Sequence, residues 1–359
     1  MTSGDRETAV QARIEAFRRR PPRLNDTHIT TAHGAGGKAS AALTHAVFLQ
    51  AFANPTLAVL DDSAVVDAPP GRLAITTDSY VVSPRRFAGG SIGDLAVNGT
   101  VNDLAMVGAR PLWLTTAFVI EEGFAVEELR CVVADMAAAA TRAGVTIVAG
   151  DTKVVSRGAA DGLYITTAGV GVVPAGLHLA ATEVAVGDRI LVSGPIGDHG
   201  VAVMLARGDL GIEAQVSSDT AALTGLVESL LAAVPATRWL RDPTRGGVAS
   251  ALNELAVAAA VGIALDEVAI PVRPTVTAAC ELLGIDPLYV ANEGRLVAVV
   301  PAADTETALA ALRADPLGRE AAVIGDVVAE PPGMVTLTTR FGGARIVDLL
   351  VGDPLPRIC

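Results

Sequence analysis

The sequence predicts a mixed α/β (α+β) protein of two domains, and three observations carry that expectation. The chain has 359 residues, more than one ordinary hydrophobic core organises. In both halves, short β-branched runs alternate with Ala-rich stretches of helical period, the pattern of layered sheet and helix. A Gly- and Pro-containing connector, "PAGLHLAATEVAVGDR", separates the halves. The domains are accordingly set at 28–175 and 185–330, flanked by a polar extension over 1–27 and a terminal segment over 331–359.

The extension is Arg-rich, is interrupted by Pro21-Pro22, and is assigned no chemistry. In the first domain the β-like runs are "LAVLDDSAVV", "LAITTDSYVV", "LWLTTAFVI", "VTIVAGDTKVV" and "LYITTAGVGVV", with helices expected over 95–107 and 126–143. The second domain opens with "RILVSGPIGDHGVAVMLARG", read as strand, Gly-rich turn and helix, followed by a helix over 219–233. "GIALDEVAIPV" and "LVAVV" then read as strands, with a helix over 305–315. The terminal segment is expected to add two strands, in "PPGMVTLTT" and "FGGARIVDLL", before the irregular "VGDPLPRIC".

Composition excludes several classes. Net charge is −12 and the basic residues form no run beyond "RRRPPR", which argues against a nucleic-acid binder. Mean hydropathy is +0.46, yet charge, Gly or Pro breaks every apolar run short of the ~20 residues a membrane span needs. The start lacks the apolar core of a signal peptide, so the expected location is the cytoplasm. Cys131, Cys280 and Cys359 are odd in number and far apart, a pattern of neither a disulfide framework nor a zinc site. The first two fall in helical patterns and read as core residues. Cys359 is the last residue, where packing is a poor explanation for a thiol.

Only two of the 27 basic residues are lysines, Lys38 and Lys153, and both fall in Gly- or Asp-rich motifs, where a compact cation suits a phosphate oxygen. "HGAGGKAS", with His33, Gly34, Gly36, Gly37 and Lys38, leads into a helical run. A phosphate cradle and a plain flexible turn both fit it, because the spacing is not that of a P-loop. Asp61, Asp62, Asp78, Asp103, Asp151 and Asp242 stand near the ends of β-like runs. Several rigid carboxylates among glycines point to Mg²⁺ and phosphate, because gathered carboxylates repel unless a cation shares them.

Taken together and in order, "DDSAVV", "TTDSYVV", "GGSIGDLAVNGTVNDLAMVGARPLWLT", "GDTKVV", "DPTRGGV" and "NEGR" resemble the ATP-dependent superfamily that includes aminoimidazole ribonucleotide synthetase, selenophosphate synthetase and thiamine-phosphate kinase. Within it, "ITTAHGAGGK", "NEGR" and the terminal "PRIC" are similar to the HypE family of hydrogenase maturation, over Ile29 to Cys359. That resemblance implies a PurM-like fold, with the first-domain sheets of a homodimer closing into a barrel, and a flexible tail. It implies a carbamoyl dehydratase using ATP and Mg²⁺: a carbamoyl group placed on Cys359 by the carbamoyltransferase HypF is dehydrated to an S-cyanide and passed to a HypC–HypD complex.

Carried over residue by residue, the resemblance makes Cys359 the carrier, Glu293 the base for the carbamoyl N–H protons, and Lys153 an electrostatic partner of phosphate or carbamoyl oxygen. Asp62, Asp78 and Asp242 become Mg²⁺ or phosphate ligands, joined by Asp151. Asn102 and Asp103 shape the nucleotide site, and His33 contacts phosphate or substrate. Bland readings stand beside these: Glu293 as a surface turn residue paired with Arg295, Lys153 as a surface cation beside Asp151, and Arg357 as a solvated cation. The rival activities are selenophosphate synthesis, for which "HGAGGK" lacks the reactive Cys, and a thiamine-phosphate kinase, which gives no reason for a terminal thiol. A non-catalytic scaffold is the remaining alternative.

Overall fold

The computed structural model describes residues 23–208, 214–349 and 357–359; most of the extension, and the tail residues Gly352, Pro354 and Pro356, lie outside them. A four-stranded sheet builds the first half, from β1 (Arg72–Tyr80), β4 (Arg110–Glu121), β5 (Thr146–Val155) and β6 (Leu163–Val173), in the order β1-β6-β4-β5. β2 (Arg86–Phe87) and β3 (Gly90–Ser91) form a small separate ribbon. One face of the large sheet carries two helices, α2 (Ile92–Met106) and α3 (Val126–Ala143), which follow a short α1 (Lys38–Leu43). α3 forms because Leu129, Val132, Val133, Met136, Ala139 and Ala140 recur at helical spacing and are all buried, and it stops at Gly144 with φ 68°. α2 packs so closely on α3 that a Cβ on Gly93 would lie 2.4 Å from the Val132 carbonyl oxygen, leaving only glycine room there.

Along β1, burial alternates, with Thr76, Asp78 and Tyr80 toward the helices and Leu73, Ile75, Thr77 and Ser79 exposed on the other face. The sheet is open and four-stranded, so among the described residues no barrel closes.

A seven-stranded sheet forms the second half, in the order β13-β12-β9-β11-β7-β10-β8. Its strands are β7 (Arg189–Val192), β8 (Trp239–Arg241), β9 (Gly262–Asp266), β10 (Val297–Val300), β11 (Ala322–Val328), β12 (Val335–Thr338) and β13 (Ala344–Val347). Apart from Arg189, β7 and β10 are apolar because both faces are covered. Ile190, Val192, Val297 and Val299 meet Val248, Leu252 and Leu255 of α6 (Gly247–Ala259). Leu191, Ala298 and Val300 meet α5 (Thr224–Ala233) and α8 (Thr305–Ala314). β12 and β13, set apart in the sequence from residue 331, extend this same sheet beside β9.

α4 (Asp198–Arg207) and α7 (Pro274–Leu283) face the other way and share a core with the first domain, through Val201, Met204, Val276 and Cys280. Two elements depart from expectation. "LAVLDDSAVV" is no strand: it is a 3-10 turn over Leu57–Val59, a left-handed Leu60 at φ 56°, and an exposed loop holding Asp61 and Asp62. The helix expected from Asp219 begins at Thr224, because residues 217–222 are drawn out as a strap across the domain junction, held by Ala88, Asn98 and Asn102.

Candidate active site

Asn292 ties the two signature loops together. Its amide nitrogen and its Nδ2 donate to the Pro243 carbonyl at 3.1 and 3.0 Å, and its Oδ1 accepts from Gly197 N at 2.7 Å. "NEGR" is thereby laid against "DPTRGG", with Asp242 beside Glu293. From the first domain, buried Asn102 of α2 donates to the Ala221 and Glu293 carbonyls at 3.0 and 3.3 Å and accepts from Leu223 N at 2.8 Å. Asn102 shapes the site as a bracket whose polar atoms are all used.

Glu293 is 2 % exposed, not a surface turn residue. Burial pushes its carboxyl well above the usual range, and the charges of Asp242, Asp219, Asp78 and Asp103 push it further. Burial, then Asp103, likewise raise Asp242, to about 7. Asp103, raised by burial, accepts from Thr76 Oγ1 at 2.7 Å. Arg295 does not pair with Glu293 but turns beneath the loop, donating to the Pro195 and Leu317 carbonyls at 3.0 and 3.1 Å, 3.6 Å from Asp219.

Asp78, Asp103, Asp242 and Glu293 thus gather where β1, α2, the end of β8 and the "NEGR" turn meet. Beside them a groove of about 560 Å³ runs between the domains, lined by Thr76, Asp103, Trp239, Arg241 and Asp242. Among the described residues no three carboxylate, His or Cys side chains converge on one metal position. This donor set fits Mg²⁺ that takes its remaining oxygens from phosphate and water, and the mutual repulsion of the acids is the reason a cation suits it.

Asp151, Lys153 and the glycine-rich loop lie elsewhere. They sit at β5, the opposite edge of the sheet from β1, three strand spacings or about 14 Å away. Lys153 Nζ pairs with Asp151 at 2.8 Å, and both are exposed. The loop flanks them: Gly34 rests on β5, where a Cβ would come within 2.9 Å of Val154 N. A cavity of about 290 Å³ opens between loop and strand, lined by His33, Gly34, Gly36, Phe48, Phe52, Asp151 and Lys153. His33 Nδ1 accepts the Thr30 amide at 3.0 Å, so its ring orders the loop. Gly37 and Lys38 are exposed at the start of α1. Asp62 is exposed in the loop after Leu60 and joins neither group.

The terminal tripeptide is docked on the body. Ile358 is buried and Cys359 half-buried. Val81 N donates to the Cys359 carbonyl at 3.1 Å and Ser83 N to the Arg357 carbonyl at 3.3 Å. Arg357 is exposed yet held, pairing with Asp161 and donating to the Val81 carbonyl at 3.0 Å. Sequence reasoning missed His199 and Arg207, which hold this tripeptide, and Asp219, which accepts the Glu293 amide at 3.0 Å. The available signal was "GDHG", a polar pair opening an otherwise apolar helix.

A two-domain α/β chain with its acids gathered at the domain junction is a member of the AIR synthase related class. Residues 60–173 match the family model of the AIR synthase related N-terminal domain, and 185–337 that of the C-terminal domain. The chain is 55% identical over 336 residues to carbamoyl dehydratase HypE of Azotobacter vinelandii, covering 94% of this chain and 98% of that protein. A crystal structure of hydrogenase maturation protein HypE in complex with ATP superposes with TM-score 0.88 at 46% identity, covering 92% of this chain and 99% of that one. The corresponding chain of a HypE–HypF complex gives 0.75 at 47% identity, covering 86% and 100%. The chain belongs to the HypE family of carbamoyl dehydratases, enzymes of hydrogenase maturation.

Proposed function

We propose that this chain dehydrates a carbamoyl group on the sulfur of Cys359 to an S-cyanide, with Glu293 as the base. The observation that carries the reading is the placement of a buried carboxylate of strongly raised proton affinity at a junction where the terminal tripeptide also docks. ATP bound in the groove would supply the phosphoryl group that turns the carbamoyl oxygen into a leaving group, as the ATP complex of a HypE relative suggests. Asp78, Asp103 and Asp242 would hold its Mg²⁺ and phosphates. Glu293 would take one nitrogen proton as the carbamoyl oxygen is phosphorylated, release it, and take the second as the C–O bond breaks, phosphate leaves and the nitrile forms; a buried base of raised pKa suits that transfer.

Within one chain, Lys153, Asp151, His33, Gly34 and Gly36 line a different cavity from the acids, with Gly37 and Lys38 exposed beside it. A homodimer resolves this. Among the described residues β1 and β5 are the two edge strands of this sheet, and the face away from the helices carries Leu73 and Ile75, the latter 74 % exposed. Pairing β5 of one copy with β1 of another would close an eight-stranded barrel, cover that face, and deliver Lys153 and the glycine-rich loop to the neighbouring copy's acids. Asp62, in the separate exposed loop after Leu60, is assigned to the same shared site. HypF is the carbamoyl donor, in keeping with the complex formed by a relative, and a HypC–HypD complex is the acceptor, all in the cytoplasm.

The test is intact mass after incubation with HypF, carbamoyl phosphate, ATP and Mg²⁺. Wild type should gain one carbamoyl group on Cys359 and then lose one water; Cys359→Ala should do neither. An active transferase that leaves Cys359 unmodified would return the chain to small-molecule phosphorylation.

A further inference from the structure

His199 stands second in α4, is fully buried, and meets the Phe87 ring edge-on at 5.4 Å. Its Nε2 is 2.9 Å from the Ile358 carbonyl oxygen and its Nδ1 is 2.8 Å from Ser218 Oγ. A carbonyl only accepts, so Nε2 carries the hydrogen and Nδ1 accepts from the Ser218 hydroxyl. Burial pushes the imidazole down to about 4, which keeps it in this neutral form. At the far end of the same helix, Arg207 donates to the Ser83 and Arg357 carbonyls, both at 2.7 Å. The second domain therefore grips two consecutive carbonyls of the tail, those of residues 357 and 358, while the first domain supplies the Val81 and Ser83 amides.

The segment that seats His199 also seats the base. Ser218 N donates to the Ala88 carbonyl at 2.7 Å, and the next residue, Asp219, accepts the Glu293 amide at 3.0 Å. Its backbone crowds Gly294, where a Cβ would fall 1.7 Å from the Asp219 carbonyl oxygen. A continuous set of contacts thus runs from the Ile358 carbonyl through His199, Ser218 and Asp219 to the "NEGR" turn.

We propose that His199, oriented by Ser218, and Arg207 are positioning residues for the dehydration: they latch the terminal tripeptide across the domain junction and, through the Ser218-Asp219 strap, fix where Cys359 stands relative to the Glu293 turn. The latch reads main-chain carbonyls, so it holds the tail irrespective of what the sulfur carries. The proposal rests on Cys359 being the carrier.

The experiment follows His199→Phe, His199→Gln and Arg207→Gln in the full chain with HypF. His199→Phe fills the space without a donor. Once carbamoylated, it should lose water about tenfold more slowly, the worth of a lost hydrogen bond, while HypF loads it at an unchanged or higher rate. Alkylation of Cys359 by iodoacetamide should rise about tenfold, with Cys131 as the internal reference. His199→Gln, which keeps a donor near Nε2, should recover most of both effects. Arg207→Gln, at the rim of the site, should move both in the same direction.

Loading and dehydration falling in parallel with Tm would overturn the proposal in favour of a merely structural role, as would dehydration and alkylation both unchanged in His199→Phe and Arg207→Gln. If wild-type Cys359 accepts no carbamoyl group, the carrier reading fails. The alkylation rates then decide the latch by themselves.

Discussion

At the residue scale, burial and like charge hold Asp103, Asp242 and Glu293 at a cost. The folded-state pKa of Asp242, about 7, lies above the ordinary carboxylate value of 3.8. A carboxyl whose pKa rises on folding binds more protons in the folded state, so its contribution to stability falls as pH rises from about 4 to 7. In the absence of nucleotide and metal, Asp242→Asn should therefore match wild type near pH 4 and exceed it at pH 8 by on the order of 2–4 kcal/mol. Thermal melts at the two pH values check this; a variant less stable than wild type at pH 8 would contradict it. Gly294 carries a second prediction at this scale. Its missing Cβ makes room for the Asp219 carbonyl, so Gly294→Ala should destabilise by about 2–4 kcal/mol, as overpacking against backbone does. "NEGR" was readable in the sequence as a motif, but the reason for its glycine was not, because Asp219 lies 75 positions earlier in the chain.

Among the elements, most strands and helices follow from local period, and the failures have specific causes. α3 was readable nearly to the residue, since its buried positions repeat at helical spacing and Gly144 ends it. "LAVLDDSAVV" alternates like a strand but finds no partner, and Val65 is 89 % exposed; pairing, not propensity, decides a strand. The strap over 217–222 reads as the start of a helix, yet Asn102 and Ala88 draw it out by long-range hydrogen bonds that no local pattern contains. Asn102→Ala should accordingly remove the side-chain partner of the buried Leu223 amide and of the part-buried Ala221 carbonyl, and one of two partners of the Glu293 carbonyl, with a loss of about 2–4 kcal/mol and looser placement of Glu293. A chemical-denaturation midpoint unchanged from wild type would contradict the bracket role.

On the scale of the whole molecule, the acids at β1 and the cation with its glycine-rich loop at β5 occupy opposite edges of one sheet. The sequence lists both groups, but not which chain each one serves, because the proposed edge pairing between copies would leave no local trace. Ile75→Lys puts a charge on the uncovered sheet face and should yield a folded monomer with dehydration reduced by at least tenfold, the order expected when an electrostatic partner is withdrawn. Light scattering and intact mass on the same sample check both parts, and a fully active monomer would contradict the shared site. The Ser218-Asp219 strap would join the proposed carrier and base across the domain junction.

A single turnover of Glu293→Gln loaded by HypF tests most directly whether Glu293 takes a proton from a group carried on Cys359. With ATP and Mg²⁺ added, intact mass should show the carbamoyl group retained on Cys359, with no species lighter by one water accumulating while wild type converts. Conversion of the variant at the wild-type rate would contradict it.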